Sequence, residues 1–130
     1  MVWLKLGRAT NNTLESFARV VNGTVTKLQK HHLCGADQVT QGMVVRIDLP
    51  DGLSMAVYNL DGAYYATDNL CTHGEASLAE GFFEGDNIVC PFHGGMFDIR
   101  TGEPTASPCV MPLRTYPVTV EDGQLFAEVI

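Results

Sequence analysis

Two short stretches, Cys71-Thr72-His73-Gly74 and Cys90-Pro91-Phe92-His93-Gly94, each combine one cysteine with one histidine. Sixteen residues, 74–89, lie between the first histidine and the second cysteine. The pattern is therefore Cys-x-His, a spacer, and Cys-x-x-His. Thiolate and neutral imidazole both bind transition metals of intermediate softness. The pattern predicts a metal centre with four protein ligands, two from each loop.

Three kinds of site are compatible with these ligands. A structural zinc site uses two cysteines and two histidines, but it usually groups cysteine with cysteine and histidine with histidine. A two-iron cluster suits two mixed loops, because both thiolates can bind one iron and both imidazoles the other. A nucleophilic cysteine with a histidine base needs a third, orienting group and leaves the second pair unexplained. We favour the cluster over zinc, and zinc over the nucleophile.

Glycines and prolines near the two pairs fit a cluster site. Gly74, Gly94 and Gly95 allow backbone N–H groups to approach sulfur closely, which a Cβ would hinder. Pro91 stiffens the second loop. The stretch around Ser107-Pro108 is a candidate for covering the cluster from a third side.

The length and composition are those of one globular domain. The chain has 130 residues, of which 45% are hydrophobic, and this is enough for a core. No apolar run approaches the roughly 18 residues of a membrane span, and the N-terminus lacks a secretory signal. We therefore expect a soluble protein of the cytoplasm. Cys34 and Cys109 are isolated from the pattern, so a disulfide framework is not expected.

The formal net charge of −7 is unevenly distributed. Residues 1–30 contain five basic residues against Glu15, whereas residues 31–130 contain the other fourteen acidic residues against three arginines. An acidic surface repels phosphates, which argues against nucleic acid as a partner. The acidic surface has two equally suitable explanations. It can steer the protein toward a basic protein partner, or it can simply be a solvated surface that keeps a small protein soluble.

Residues 1–30 form an N-terminal extension of unknown role that differs from the remainder. Asn12 or Thr13 is a suitable helix N-cap, and Leu14, Phe17, Ala18 and Val21 follow at helical spacing. This spacing predicts a short helix, which we favour. The alternative is a hairpin, because Asn22-Gly23 between β-branched residues is typical of a two-residue turn.

Residues 31–130 are predicted to be one all-β domain. Turn residues recur about every eight to twelve positions, as expected of small antiparallel sheets. Residues 103–112 contain three prolines and are predicted to be a stiff loop, not a central strand. The predicted strands are Met43–Leu49, Leu53–Leu60, Ala63–Thr67, Asn87–Cys90, Met96–Ile99, Leu113–Val120 and Gln124–Val129.

The two loops and their flanks resemble the Rieske [2Fe-2S] motif. Other segments are similar to the Rieske ferredoxins of bacterial aromatic-ring-hydroxylating oxygenases, namely residues 64–69, 76–81, 97–102 and 116–123. The likeness runs from about Cys34 to the C-terminus. It implies the Rieske iron–sulfur fold, with a cluster-binding subdomain at about residues 69–112 at one tip.

The resemblance implies one [2Fe-2S] cluster and its four ligands. Cys71 and Cys90 would bind the inner ferric iron, and His73 and His93 the outer iron, which is the one reduced. Neutral imidazoles in place of two thiolates make the cluster less negative and raise its potential above the all-cysteine type. The imidazole edges are then the expected exit for the electron.

Comparison with respiratory Rieske proteins indicates a low-potential centre. Those proteins carry an additional cysteine in each loop, joined as a disulfide, where this chain has Ala76 and Phe92. They also place a serine and a tyrosine hydroxyl near the cluster, where this chain has Gly95 and Phe97. Fewer hydrogen bonds to sulfur stabilise the reduced state less, so we predict a low-potential ferredoxin.

The resemblance implies an electron carrier and not an enzyme. Such a carrier passes electrons from a flavin-containing NAD(P)H reductase to a terminal oxygenase that hydroxylates aromatic rings, and we expect a monomer. A catalytic oxygenase subunit is excluded, because its mononuclear iron typically needs two histidines and a carboxylate and no histidine follows His93. The small Rieske subunit of a nitrite reductase is the alternative.

Three remaining groups of polar or sulfur residues have structural explanations. His31 and His32 are adjacent and would face different sides of a strand, so we expect surface residues, not metal ligands. Cys34 is predicted to be a small buried residue of the core. Cys109 is predicted to pack within the covering loop.

Overall fold

The computed structural model describes residues 2–5, 16–21, 24–50, 52–72, 76–92 and 94–129. Within these residues the protein is built of β-strands and two three-residue 3₁₀ turns, Ala36–Gln38 and Leu78–Glu80. The all-β prediction is therefore confirmed. The strands in chain order are β1 (Val2–Lys5), β2 (Ser16–Val21), β3 (Thr24–Gly35), β4 (Val44–Asp48), β5 (Ser54–Leu60), β6 (Ala63–Asp68), β7 (Phe82–Glu84), β8 (Asn87–Val89), β9 (Met96–Asp98), β10 (Pro104–Ala106), β11 (Thr115–Tyr116), β12 (Val118–Glu121) and β13 (Gln124–Val129).

The strands form three sheets in which the paired strands are antiparallel. The first has five strands in the order β1-β2-β3-β13-β12, the second four in the order β10-β9-β8-β7, and the third four in the order β11-β6-β5-β4. Chain neighbours pair in most places, as expected of short turn-connected strands. The exceptions, β3 with β13 and β6 with β11, bring the C-terminal strands back onto the first and third sheets.

The predicted N-terminal helix is wrong for residues 16–21, which form strand β2. This strand pairs with β3 from Ser16 opposite Gln29 to Val21 opposite Thr24. The hairpin alternative is thus the correct one, although Asn22-Gly23 and the predicted N-cap residues lie outside the described residues. The first part of β3 pairs with β2 and the remainder with β13, so a non-local sheet overrides the local helical spacing. The strands consequently begin before His31.

The strands predicted between residues 43 and 129 are present, with bounds that differ by no more than two residues. The segment 113–120 is divided at Pro117, so that β11 pairs with β6 and β12 with β13. The proline-rich segment 103–112 contains one short strand, β10, which lies at the edge of its sheet, as a proline-bearing strand must. Strand β7 was not predicted.

Strand β5 lies between two hydrophobic cores. Ala56, Tyr58 and Leu60 pack into what we call the cysteine-side core, and Met55 and Val57 into the base core. The remaining members of the cysteine-side core are Cys71, Ala76, Leu78, Ile88, Cys90, Phe97, Ile99, Cys109 and Leu113. The remaining members of the base core are Leu33, Cys34, Val39, Leu49, Ala66, Tyr116, Leu125 and Ala127.

Two buried polar side chains of β5, Tyr58 and Asn59, are hydrogen-bonded. The Asn59 amide donates to the Val39 carbonyl oxygen at 2.9 Å and accepts from the Gly62 N–H at 3.0 Å. The hydroxyls of Tyr58 and Thr67 lie 2.8 Å apart, and burial raises the pKa of Tyr58. Such pairing avoids the cost of burying an unsatisfied polar group. Within the described part of the chain, no helix has the length and apolar character needed to cross a bilayer.

Candidate metal centre

The two predicted cysteine loops share one backbone arrangement. The Cys71 N–H donates to the Ala76 carbonyl oxygen at 3.0 Å, and the Cys90 N–H donates to the Gly95 carbonyl oxygen at 2.7 Å. In each loop the hydrogen bond therefore joins a cysteine to the fifth residue after it. His73 and His93 belong to these two loops but lie outside the described residues. Each of the two predicted cysteine ligands thus makes the same backbone hydrogen bond to its own loop.

The same core contains both predicted cysteine ligands. Cys71 and Cys90 are each only 2% exposed and belong to the cysteine-side core. Among the described residues, no group of three or more His, Cys, Asp or Glu side chains is arranged to hold a metal ion. The described part of the site therefore supplies the two thiols, and a complete site needs residues beyond them.

The first loop is fastened by a buried amide. The Asn69 side chain donates to Ser77 Oγ at 2.8 Å and accepts from the Ala79 N–H at 3.0 Å. The Leu78 N–H donates to the Asn69 carbonyl oxygen at 2.8 Å, and Leu70 forms a β-bridge with Ser77. Asn69 thus holds both ends of the segment that carries Cys71.

A third loop, residues 107–112, lies against both cysteine loops. Thr72 Oγ1 donates to the Met111 carbonyl oxygen at 2.8 Å, which joins this loop to the first. A Cβ added at Gly95 would collide with Cys109 Sγ, so the loop also lies directly on the second. The prediction that the stretch around Ser107-Pro108 covers the site from a third side agrees with these contacts.

Cys109 lies closer to the predicted ligands than the sequence suggested. It is 5% exposed, so its predicted packing role is confirmed. Its Sγ also lies 4.0 Å from Cys71 Sγ, which the sequence analysis missed. Burial raises the pKa of the Cys109 thiol to about 12, and the neighbouring Cys71 and Cys90 sulfurs contribute in the same direction. In the sequence, the one sign of this contact is that Cys109 lies in the proline-rich loop that was predicted to cover the site.

The residues set aside in the sequence analysis lie away from these loops. His31 and His32 are on β3, where His31 is half-buried and His32 is exposed, and His32 Nε2 lies 2.8 Å from Gln124 Oε1. Cys34 is 7% exposed in the base core, as predicted. Burial raises the pKa of its thiol, and Asp37 adds to the effect.

Large apolar side chains are exposed next to the three cysteines. Leu70 precedes Cys71, Phe92 follows Cys90 by two positions, and Val110 and Met111 follow Cys109. These four side chains, which we call the apolar rim, are 60–76% exposed: Leu70 60%, Phe92 66%, Val110 76% and Met111 62%. Each of the three loops that carry a cysteine therefore exposes a large apolar side chain, and exposed apolar surface favours protein binding.

Comparison with known proteins places the chain among iron–sulfur proteins. Residues 29–117 match the family model of the Rieske [2Fe-2S] domain. The ferredoxin component of the p-cumate 2,3-dioxygenase system of Pseudomonas putida is 50% identical over 98 residues, which are 75% of this chain and 83% of that protein.

Solved structures show the same similarity. The ferredoxin of Sphingomonas yanoikuyae B1 has a TM-score of 0.75 at 48% identity, over 78% of this chain and 99% of that one. A ferredoxin solved in complex with the oxygenase of carbazole 1,9a-dioxygenase has a TM-score of 0.72 at 41% identity, over 75% and 91%. A nitrite reductase small subunit from Mycobacterium tuberculosis, at 21% identity and a TM-score of 0.69 over 78% and 95%, shares the fold alone.

Proposed function

Because the chain belongs to the Rieske [2Fe-2S] domain family, we propose that Cys71, Cys90, His73 and His93 are the ligands of its cluster. The protein is an electron carrier of the ferredoxin type, and not a catalytic enzyme. It carries a [2Fe-2S] cluster, which accepts and releases one electron at a time. In our proposal, Cys71 and Cys90 bind one iron and the two histidines the other.

The described residues fit such a cluster. Two buried cysteines are held in one core by equivalent loops, each closed by a hydrogen bond from the cysteine N–H. Thiolates are the usual ligands of iron–sulfur clusters. The buried surroundings exclude water from the sulfur side, and the histidines fall in the two loops next to the exposed apolar rim. The cysteines would thus bind the cluster from the buried side, and a partner would contact the loops at the apolar rim.

We propose that the physiological partners are a flavin-containing NAD(P)H reductase and the terminal oxygenase of an aromatic-ring-hydroxylating system. The relatives are named as ferredoxin components of p-cumate and naphthalene dioxygenase systems, and one homologous ferredoxin was solved with its oxygenase. The observation that carries the proposal is the apolar rim, because each cysteine-bearing loop presents an exposed apolar side chain beside its cysteine. We further propose that the protein acts as a monomer in the cytoplasm.

We also propose that residues 1–30 are an extension outside the Rieske domain, which we assign to residues 31–130 with its cluster-binding part at about 69–112. The family match begins at residue 29 and the Sphingomonas ferredoxin is covered almost completely by 78% of this chain. Both findings support an extension, whose role is unknown.

Stopped-flow reduction of a terminal oxygenase tests the partner assignment. Reduced protein is mixed with the oxygenase of the p-cumate system, and the variant Val110→Ser is compared with Val120→Ser, an exposed valine outside the rim (76% and 52% exposed). We expect Val110→Ser to slow transfer several-fold at limiting concentration, with an unchanged midpoint potential, and Val120→Ser to behave like the unmodified protein. Equal rates for both variants would contradict the role of the apolar rim.

The acidic surface gives a second readout in the same experiment. The net charge of −7 favours steering toward a basic face, which salt screens. We therefore expect the bimolecular rate to fall as ionic strength rises. A rate that is independent of salt would show that electrostatic steering does not contribute to association, so that only the apolar contact remains in the proposal.

A further inference from the structure

Cys109 is a buried thiol beside a proposed iron ligand. Its Sγ lies 4.0 Å from Cys71 Sγ, within hydrogen-bond range for sulfur and far beyond the S–S bond length of about 2.05 Å. The backbone holds it in place, because the Cys109 N–H donates to the Ala106 carbonyl oxygen at 3.2 Å. The contact therefore belongs to the loop packing and is not the chance approach of an exposed side chain.

Cys109 also fills the space above a glycine of the second loop. A Cβ at Gly95 would collide with Cys109 Sγ, and it would approach the Cys109 N and Pro108 Cδ atoms at 3.2 Å each. The Gly95 carbonyl oxygen accepts the hydrogen bond that closes the Cys90 loop. The thiol consequently contacts one proposed cysteine ligand and packs on the loop of the other.

The direction of the Cys71–Cys109 hydrogen bond follows from the proposed ligation. A cysteine sulfur bound to iron has lost its proton and only accepts. Cys109 must then be the donor, since a thiol is protonated near neutral pH. An S–H donor directed at a ligand sulfur stabilises the more negative, reduced state of the cluster more than the oxidised state.

We propose that Cys109 is a positioning residue of the cluster site: its S–H donates to the Cys71 sulfur, and this hydrogen bond raises the midpoint potential. The inference rests on the proposed ligation of iron by Cys71. Cys109 is not itself a ligand in this account. It tunes one sulfur ligand from the covering loop, which is a role that the family match does not assign.

Three variants separate this role from ordinary packing. Cys109→Ala removes the donor, Cys109→Ser keeps a hydroxyl donor, and Cys34→Ala truncates a buried cysteine of the base core as the matched control. Iron content, the EPR spectrum and the midpoint potential are measured for each. We expect Cys109→Ala to keep its iron and to lower the reduction equilibrium constant by up to about tenfold, which is 59 mV for one electron.

The other two variants supply the comparison. Cys109→Ser should recover part of the lost potential, and Cys34→Ala should keep the unmodified value. A Cys109→Ala protein with full iron and an unchanged potential overturns the proposal. An equal shift in Cys34→Ala also overturns it, because the effect would then be general loosening of the protein. Loss of nearly all iron in Cys109→Ala, with iron retained in Cys34→Ala, is the result expected of a ligand variant and would likewise overturn it.

Infrared spectroscopy of the unmodified holoprotein tests the hydrogen bond without any substitution. We expect one S–H stretching band to shift to lower frequency on reduction of the cluster, as its acceptor becomes more negative, while the Cys34 band stays constant. Two bands that are both insensitive to reduction contradict the inference even if the variants do not fold. A protein that contains no iron at all would instead contradict the proposed cluster ligation.

Discussion

The two faces of strand β5 pack against two hydrophobic cores, and we propose that only one of them binds the cluster. The base core contains one cysteine, Cys34, among apolar side chains, and the cysteine-side core contains three, Cys71, Cys90 and Cys109. Strand β5 contributes side chains to both cores. In our account the base core is stabilised by apolar burial alone, at about 1.5–3 kcal/mol for each large side chain. The cysteine-side core combines the same burial with cluster binding.

The two cores should therefore respond differently to substitution with respect to the cluster. A substitution in either core lowers the free energy of unfolding by loss of packing. Only a substitution on the cysteine side should also change iron retention or potential. Paired variants, one from each face of β5, test this distinction.

The largest expected effect is that of a proposed ligand. Cys90→Ala removes one thiolate from the site, and we expect the purified protein to contain almost no iron. Cys34→Ala, which truncates a buried cysteine in the base core, should retain the full amount. Iron analysis and visible absorbance measure both. Normal iron in Cys90→Ala would remove Cys90 from the ligand set.

Cavities on the two faces should cost similar stability and differ in cluster retention. Leu78 and Leu125 are both fully buried, the first in the cysteine-side core and the second in the base core. We expect each change to alanine to lower the unfolding free energy by about 2–5 kcal/mol. Denaturant unfolding measures this, and bleaching under a chelator measures cluster loss. Equally fast bleaching of the two variants would mean that the cores are not separate in function.

Two buried amides provide a smaller and more local comparison. Asn69 fastens the segment carrying Cys71, and Asn59 fastens the turn between β5 and β6. Each change to alanine removes a buried amide and leaves its hydrogen-bond partners without it, at about 1–3 kcal/mol. We expect only Asn69→Ala to accelerate cluster loss. If Asn59→Ala did so equally, global stability and not loop fastening would control retention.

The smallest expected effect concerns the potential alone. Phe97 is fully buried in the cysteine-side core, and Phe97→Tyr adds a hydroxyl donor where the chain has none. We expect a higher midpoint potential in voltammetry, because a hydrogen bond to sulfur stabilises the reduced state. Phe126→Tyr, on β13 of the first sheet, is the control and should leave the potential unchanged. A lower or unchanged potential in Phe97→Tyr would count against the low-potential explanation.

The sequence predicted what depends on local pattern. The Cys-x-His and Cys-x-x-His loops are marked by residue type and spacing, and the strands by alternation and turn residues. Both faces of β5 are buried, and the nearly continuous apolar run Met55-Ala56-Val57-Tyr58 is the sequence signal for this. Local pattern thus located the loops and the strands.

The features that the sequence did not predict depend on contacts between distant segments. The spacing of residues 16–21 favours a helix, and their pairing with β3, itself paired with β13, makes them a strand instead. Cys109 approaches Cys71, 38 positions earlier in the chain, because the covering loop packs on both cysteine loops. No local sequence pattern predicts that Cys109 lies near Cys71. The covering loop brings the two together, because it contacts Thr72 in the first cysteine loop and Gly95 in the second.

The most direct test of the central claim is the EPR spectrum of the purified protein after reduction with dithionite. The account predicts the rhombic signal with low average g value of a [2Fe-2S] cluster bound by two cysteines and two histidines. Replacing His93 by cysteine should move the signal toward that of the all-cysteine type. A colourless, EPR-silent protein that contains zinc, or a reduced spectrum of the all-cysteine type in the unmodified chain, would contradict the account.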